Sequence, residues 1–151
     1  MGSLNLPSAS KCYVDTSIVI YTIERFPKYW PALEPMWLNL QRNNFEIFSS
    51  ELTLLEVLVL PLRNQDAMLI SAYEQFLLCS EIQLLPIDRA ILKSAAQLRA
   101  GTTIRTPDAI HAASALAANC SHFLTNDRAL HHLPEISVIV LDEVIEAVKD
   151  L

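Results

Sequence analysis

A chain of 151 residues suits one domain of ordinary size, long enough to bury a continuous apolar core without disulfides or a structural metal. Hydrophobic residues make up 52% and charged residues 19%, which excludes a disordered chain. The longest apolar stretch, Leu52 to Leu62, has about half of the roughly 20 residues a membrane span needs and contains Glu56 and Pro61, so no membrane partner is expected. With 17 acidic against 11 basic residues the net charge is -6, the wrong sign for broad attraction to nucleic acid.

The opening residues show no basic, apolar and small-residue succession, and Met1 to Leu6 lacks the Ser or Thr of a myristoylation signal. Residues 1–10 read as a flexible lead to a single domain over 11–151. Cys12-Tyr13-Val14 is the first strand-like run. In Ile18 to Ile23 the β-branched residues favour a strand and the position after a short strand favours a helix; a helix is expected. Glu46-Ile47-Phe48 is the second strand, and Leu52 to Leu62 follows with helical spacing.

Asp66 to Cys79 places Leu69, Tyr73, Phe76 and Leu77 on one helix face, with Asp66 as N-cap. After a third strand, Ile82 to Leu85, the helix of Asp88 to Ala100 begins on an Asp88 cap and stops at Gly101. Thr106 can cap the next helix, with Pro107 in its first position, and Ala109, Ala112, Ala113, Ala117 and Ala118 let it pack closely on a sheet. His122-Phe123-Leu124 and Ser137 to Val140 complete five strands. Strands alternating with helices imply right-handed crossovers and an α/β fold, a three-layer α/β/α sandwich around a mostly parallel five-stranded sheet. Cys12, Cys79 and Cys120, odd in number and widely spaced among apolar neighbours, fit reduced core residues of a cytoplasmic protein.

In open α/β sheets ligands bind beyond the carboxyl ends of the strands, where Asp15 and Asp127 are expected. Either could merely cap a helix. Glu56 interrupts the most apolar stretch of the chain, among Leu52, Thr53, Val59 and Leu60 at helical spacing, and a carboxylate there needs a cation or access to water. Asp108 falls in a first helical turn, where its charge complements the helix dipole and its helix start faces the same crevice. Four carboxylates without a thiol select hard cations. His111 fits a satisfied, partly buried histidine, and His122, His131 and His132 lack zinc-ligand spacing.

Tyr13-Val14-Asp15-Thr16-Ser17, Glu56 in a helix, Thr106-Pro107-Asp108-Ala109-Ile110-His111-Ala112-Ala113 and Thr125-Asn126-Asp127-Arg128 together resemble the PIN-domain family, in particular the VapC-type toxins of toxin–antitoxin pairs, in order and approximate spacing from Lys11 onward. The resemblance implies a five-stranded parallel sheet, a pocket for Mg²⁺ or Mn²⁺ and hydrolysis of RNA phosphodiesters. It assigns Asp15, Glu56, Asp108 and Asp127 as catalytic metal ligands, with Thr16, Ser17, Thr125 and Asn126 as supporting polar residues. An antitoxin partner and a homodimer are implied too, the dimer helped by the apolar segment Tyr29 to Leu38. Arg99, Arg105 and Arg128 are candidate contacts to RNA phosphates. A receiver domain would need a Lys after a suitable strand and an aspartyl-phosphate phosphatase an Asp-x-Asp; neither is present. The alternatives are a non-catalytic metal-binding or interaction module of the same fold, or a solitary nuclease without an antitoxin.

Overall fold

The computed structural model describes residue 4, residues 6–42 and residues 44–149; of the expected lead, residues 1–3 and 5 fall outside the described residues. Strand β1 (Lys11–Val14) leads into α1 (Thr16–Ile23) and α2 (Trp30–Leu38), and β2 (Glu46–Ser50) into α3 (Glu51–Arg63) and α4 (Ala67–Cys79). Then β3 (Gln83–Leu85) is followed by α5 (Arg89–Gly101) and α6 (Thr106–Ala117). After β4 (His122–Thr125) come a 3-10 turn (Arg128–Leu130), β5 (Ser137–Val140) and α7 (Leu141–Lys149).

The strands lie in the order β3-β2-β1-β4-β5, and every pairing is parallel. From β1 the chain steps outward through β2 to β3, then returns to the other side of β1 for β4 and β5. The order therefore reverses between β1 and β4, and the crevice beyond their carboxyl ends is the place such a sheet offers a ligand.

Alternation along the strands divides the interior in two. Cys12, Val14, Ile47 and Leu124 face a core with Ile18, Val19, Leu33, Met36, Val57, Tyr73 and Leu77 from α1 to α4. Tyr13, Phe48 and Phe123 point the other way, toward Ala115 of α6, Cys120 and Leu130, while Ile91 and Ala95 of α5 pack on Ala109 and Ala113 of α6. This is the expected three-layer α/β/α sandwich. Leu4 and Leu6 pack against the first core.

The β-branched run after β1 is helical because Asp15 caps it, Oδ1 accepting the Ile18 amide at 3.4 Å. Asp66 and Asp88 cap α4 and α5 as expected. Some local expectations need correction. Gly101 closes the last turn of α5 without a positive φ; the left-handed positions after α1, α3 and α6 belong to Arg25, Gln65 and Asn119. Each lets the next amide reach back to an orphan carbonyl, as Phe26 N does to Tyr21 O. Arg105, not Thr106, is the N-cap residue of α6, which places Thr106 and Pro107 inside the helix. Cys79 is exposed, whereas Cys12 and Cys120 are buried. In α2, Ala32, Leu33 and Met36 are buried, and Tyr29, Trp30 and Trp37 are partly buried against the same core, while Leu38 is 75% exposed. No helix among the described residues is long and apolar enough to cross a membrane.

Candidate metal-binding active site

Beyond the ends of β1 and β4 lies a cavity of about 210 Å³ lined by Asp15, Thr16, Ser17, Tyr21, Glu56, Arg105, Asp108, His111, Asn126 and Asp127. All four acids singled out in the sequence meet there, delivered by different elements: Asp15 by the turn out of β1, Glu56 by the second turn of α3, Asp108 by the first turn of α6 and Asp127 by the loop after β4.

Asp15 is buried beneath the cavity. Its Oδ2 accepts from the Thr125 hydroxyl and its Oδ1 from Ser17 Oγ at 2.7 Å, so it both caps α1 and borders the cavity. Burial raises its pKa, and the bonds from Thr125 and Ser17 only partly offset this. Glu56 Oε1 accepts from Thr16 Oγ1 at 2.7 Å and pairs with His111 Nε2 at 2.8 Å. Burial would raise this carboxyl too, but the bonds from His111 and Thr16, joined by the charges of His111 and Arg105, outweigh it and hold Glu56 below the ordinary range.

Asp108 Oδ2 meets Arg105 Nε at 3.4 Å. Burial raises the Asp108 pKa, Arg105 opposes this and the neighbouring Asp127 charge adds to it, with a net upward shift. Asp127 Oδ1 accepts the Ala129 amide at 2.9 Å and caps the 3-10 turn. Asn126 donates to Tyr21 Oη at 3.2 Å and accepts the Asp142 amide at 2.8 Å, which joins the loop after β4 to the start of α7.

The candidate arginines separate. Arg105 lines the cavity; Arg128 is held by Glu143 and Glu146, and Arg99 donates to the Ile104 carbonyl, neither of them in the lining. Behind the acids stands a buried relay that sequence reasoning did not assemble: Tyr13 Oη lies 2.6 Å from His111 Nδ1, whose other nitrogen meets Glu56. Tyr13 stacks on Phe123 with ring centroids 5.1 Å apart. His111 is satisfied, as expected, but its partner is one of the four acids, and that contact depends on how α3 and α6 pack. The one signal in the sequence was its place a single turn after Asp108. Tyr21, a further lining residue, carried none.

The donor set suits a hard divalent cation: four carboxylates, hydroxyl and amide oxygens, no thiol. Asp108 is raised chiefly by burial, with the Asp127 charge adding to it, and a cation at the carboxylate would oppose both. Among the described residues, no three His, Cys, Asp or Glu side chains stand close enough to ligate one ion together. Asp15 and Glu56 are instead drawn toward hydroxyl and imidazole groups and Asp108 toward Arg105.

The sequence matches the PIN domain family over residues 12–136. No curated protein matches it. Among solved structures it is similar to a chain of VapBC2 from Rickettsia felis bound to a DNA fragment from their promoter, at 20% identity and a TM-score of 0.69, covering 86% of this chain and 98% of that one. A chain of a toxin–antitoxin complex from Klebsiella pneumoniae aligns at 20% identity and TM-score 0.59, over 85% and 96%. A chain of FitAB bound to an IR36 DNA fragment aligns at 21% and 0.62, over 85% and 94%.

Proposed function

The chain belongs to the PIN domain family, whose members are nucleases that use divalent metal ions, and from that premise we propose that it is a Mg²⁺- or Mn²⁺-dependent endoribonuclease, the toxin of a toxin–antitoxin pair. The observation that carries the catalytic part is the meeting of Asp15, Glu56, Asp108 and Asp127 in one cavity at the switch point of a parallel sheet. The toxin part draws on likeness to chains of toxin–antitoxin assemblies. An antitoxin, a homodimer and a cytoplasmic location complete the proposal.

Asp15, Glu56, Asp108 and Asp127 would hold the metal, which when bound lowers the pKa of water and offsets charge building on the phosphate. The protein's own part is orientation. Thr125 and Ser17 fix the two oxygens of Asp15. Thr16 and His111 both engage Oε1 of Glu56, leaving Oε2 without a protein donor among the described residues. Arg105, on the rim, is placed to meet a phosphate oxygen once a cation claims Asp108.

The test is cleavage of single-stranded RNA by the purified protein with Mg²⁺ or Mn²⁺, abolished by EDTA and restored by added metal. Cleavage that persists in excess chelator would overturn the metal assignment. A second reading, a non-catalytic metal-binding or protein-interaction module, is favoured by the engagement of these carboxylates with protein donors. Metal binding without cleavage of RNA would select it. A small neighbouring gene for a DNA-binding protein favours the toxin over a solitary nuclease.

A further inference from the structure

A second, larger cavity of about 440 Å³ adjoins the acidic one, and Arg105, Asp108 and Asp127 line both. The rest of its wall comes from the α5–α6 connection and the chain after β4, with Ile104, Leu130, Leu133 and Pro134 as the apolar part and Thr103 and His132 exposed at the edge. We propose that this cavity receives one nucleobase of a single-stranded RNA whose adjacent phosphate lies in the acidic cavity. The inference rests on the nuclease reading and adds to it the place where substrate is read.

Continuity is the first support. A strand with a phosphate among the four acids must carry a neighbouring nucleotide across some wall of that cavity, and the wall at Arg105, Asp108 and Asp127 opens onto a space within the usual range for small-molecule sites, about 300 to 1,000 Å³. Charge decides what enters it. The chain carries -6 overall, Arg128 is occupied by Glu143 and Glu146, and on the shared wall Asp108 and Asp127 outnumber Arg105, which is paired with Asp108, so the wall disfavours a second phosphate. A base carries no such charge and can lie against apolar side chains, which is how proteins take hold of single-stranded RNA.

The floor is also preformed. Leu130 is buried in the second core, and Ile104 and Leu133 pack against that core, so little ordering is required when a ligand arrives. His132 at the edge supplies a ring to stack and nitrogen atoms to hydrogen-bond a base edge.

The test uses the whole protein with Mg²⁺, the four ribonucleoside 5′-monophosphates and ribose 5-phosphate, followed through backbone amide resonances, with RNA cleavage assayed separately. At least one nucleotide is expected to bind about tenfold more tightly than ribose 5-phosphate, the size of one base contact, and to shift the amides of Ile104, Ala129 and Leu133. Thr103→Trp, which fills the cavity from an exposed position, is expected to erase that advantage and leave ribose 5-phosphate affinity in place. Equal binding of nucleotides and ribose 5-phosphate by the native protein overturns the proposal without any variant, even if RNA is cleaved. An acetylated apolar tripeptide that shifts these amides while no nucleotide does overturns it in favour of a peptide. A base advantage at these amides without RNA cleavage sustains the subsite and removes the nuclease reading.

Discussion

Replacing Asp108 by Asn separates catalysis from stability. Without metal the ionised Asp108 is a net cost to the fold: its pKa is raised by burial and by Asp127 despite the pairing with Arg105. An acid with a raised folded pKa stabilises the fold in its protonated form. That stability is fully present below the unfolded value of 3.8, and it is lost as the pH climbs through the raised value, so at neutral pH the cost is complete. The amide removes it. Against this stands the lost dipole complement at the start of α6, roughly 0.3 to 1 kcal/mol; the pairing with Arg105, whose side chain is 78% exposed, is already contained in the net upward shift.

The expected outcome is a metal-free melting temperature unchanged or raised in Asp108→Asn, with metal-dependent cleavage lost. Metal at 100 times its dissociation constant should stabilise the native protein by about 2.7 kcal/mol, roughly 5 to 11 °C for a domain of this size. The variant should lose most of that increment, because an amide is a poor ligand for a hard cation. Melts in EDTA and in Mg²⁺, run beside RNA cleavage, read all three quantities. A variant that melts lower than native in EDTA yet cleaves at the native rate would refute the reasoning, because Asp108 would then be a dipole partner and nothing more.

Glu56→Gln should weaken the acid dependence of metal-free stability. The folded pKa of Glu56 lies below its unfolded 4.5, so its contribution is present above 4.5 and lost as the pH falls through the lowered value; acid titrations of native and variant that superimpose would contradict this. Tyr13→Phe keeps the stack on Phe123 but leaves His111 Nδ1 buried without its partner, and should cost about 1 to 3 kcal/mol in denaturant melts; an unchanged midpoint would show that the ring nitrogen finds another. Arg105→Ala should lower the salt dependence of RNA binding by about one ion, whereas Arg128→Ala, removing a guanidinium already bound to Glu143 and Glu146, should leave it unchanged; equal effects would place both on the strand.

The layers and strands were legible because their signals are local. The short continuous apolar run Cys12-Tyr13-Val14, as a strand buried on both faces shows, and the Asp66 and Asp88 caps depend on a few neighbouring residues, and the structure keeps them. The acids were legible one at a time as residues in unusual company, Glu56 in an apolar helix and Asp15 after a strand. Helix ends were less readable. With two glycines in the chain, Arg25, Gln65 and Asn119 take the left-handed turns, and nothing in an Arg or Gln announces that. The relay from Tyr13 through His111 to Glu56 was out of reach for another reason, since it joins residues 98 and 55 positions apart, on β1, α6 and α3, that meet only through tertiary packing.

The net charge of -6 opposes a polyanionic substrate, and on the nuclease reading proposed above the conflict is confined to one cavity. Burial raises Asp108 and the Asp127 charge adds to that against Arg105, so on the proposed reading a cation entering the cavity beyond β1 and β4 would relieve both costs, which a carboxylate on the open surface does not carry. Once neutralised, that small region no longer repels a phosphate, while the rest of the acidic surface still does. An RNA strand would then be held at one point instead of along its length, and sequence-independent binding through the backbone would be weak. Selectivity must come from what lies next to that point, and next to it, across Arg105, is the apolar cavity of Ile104, Leu130 and Leu133.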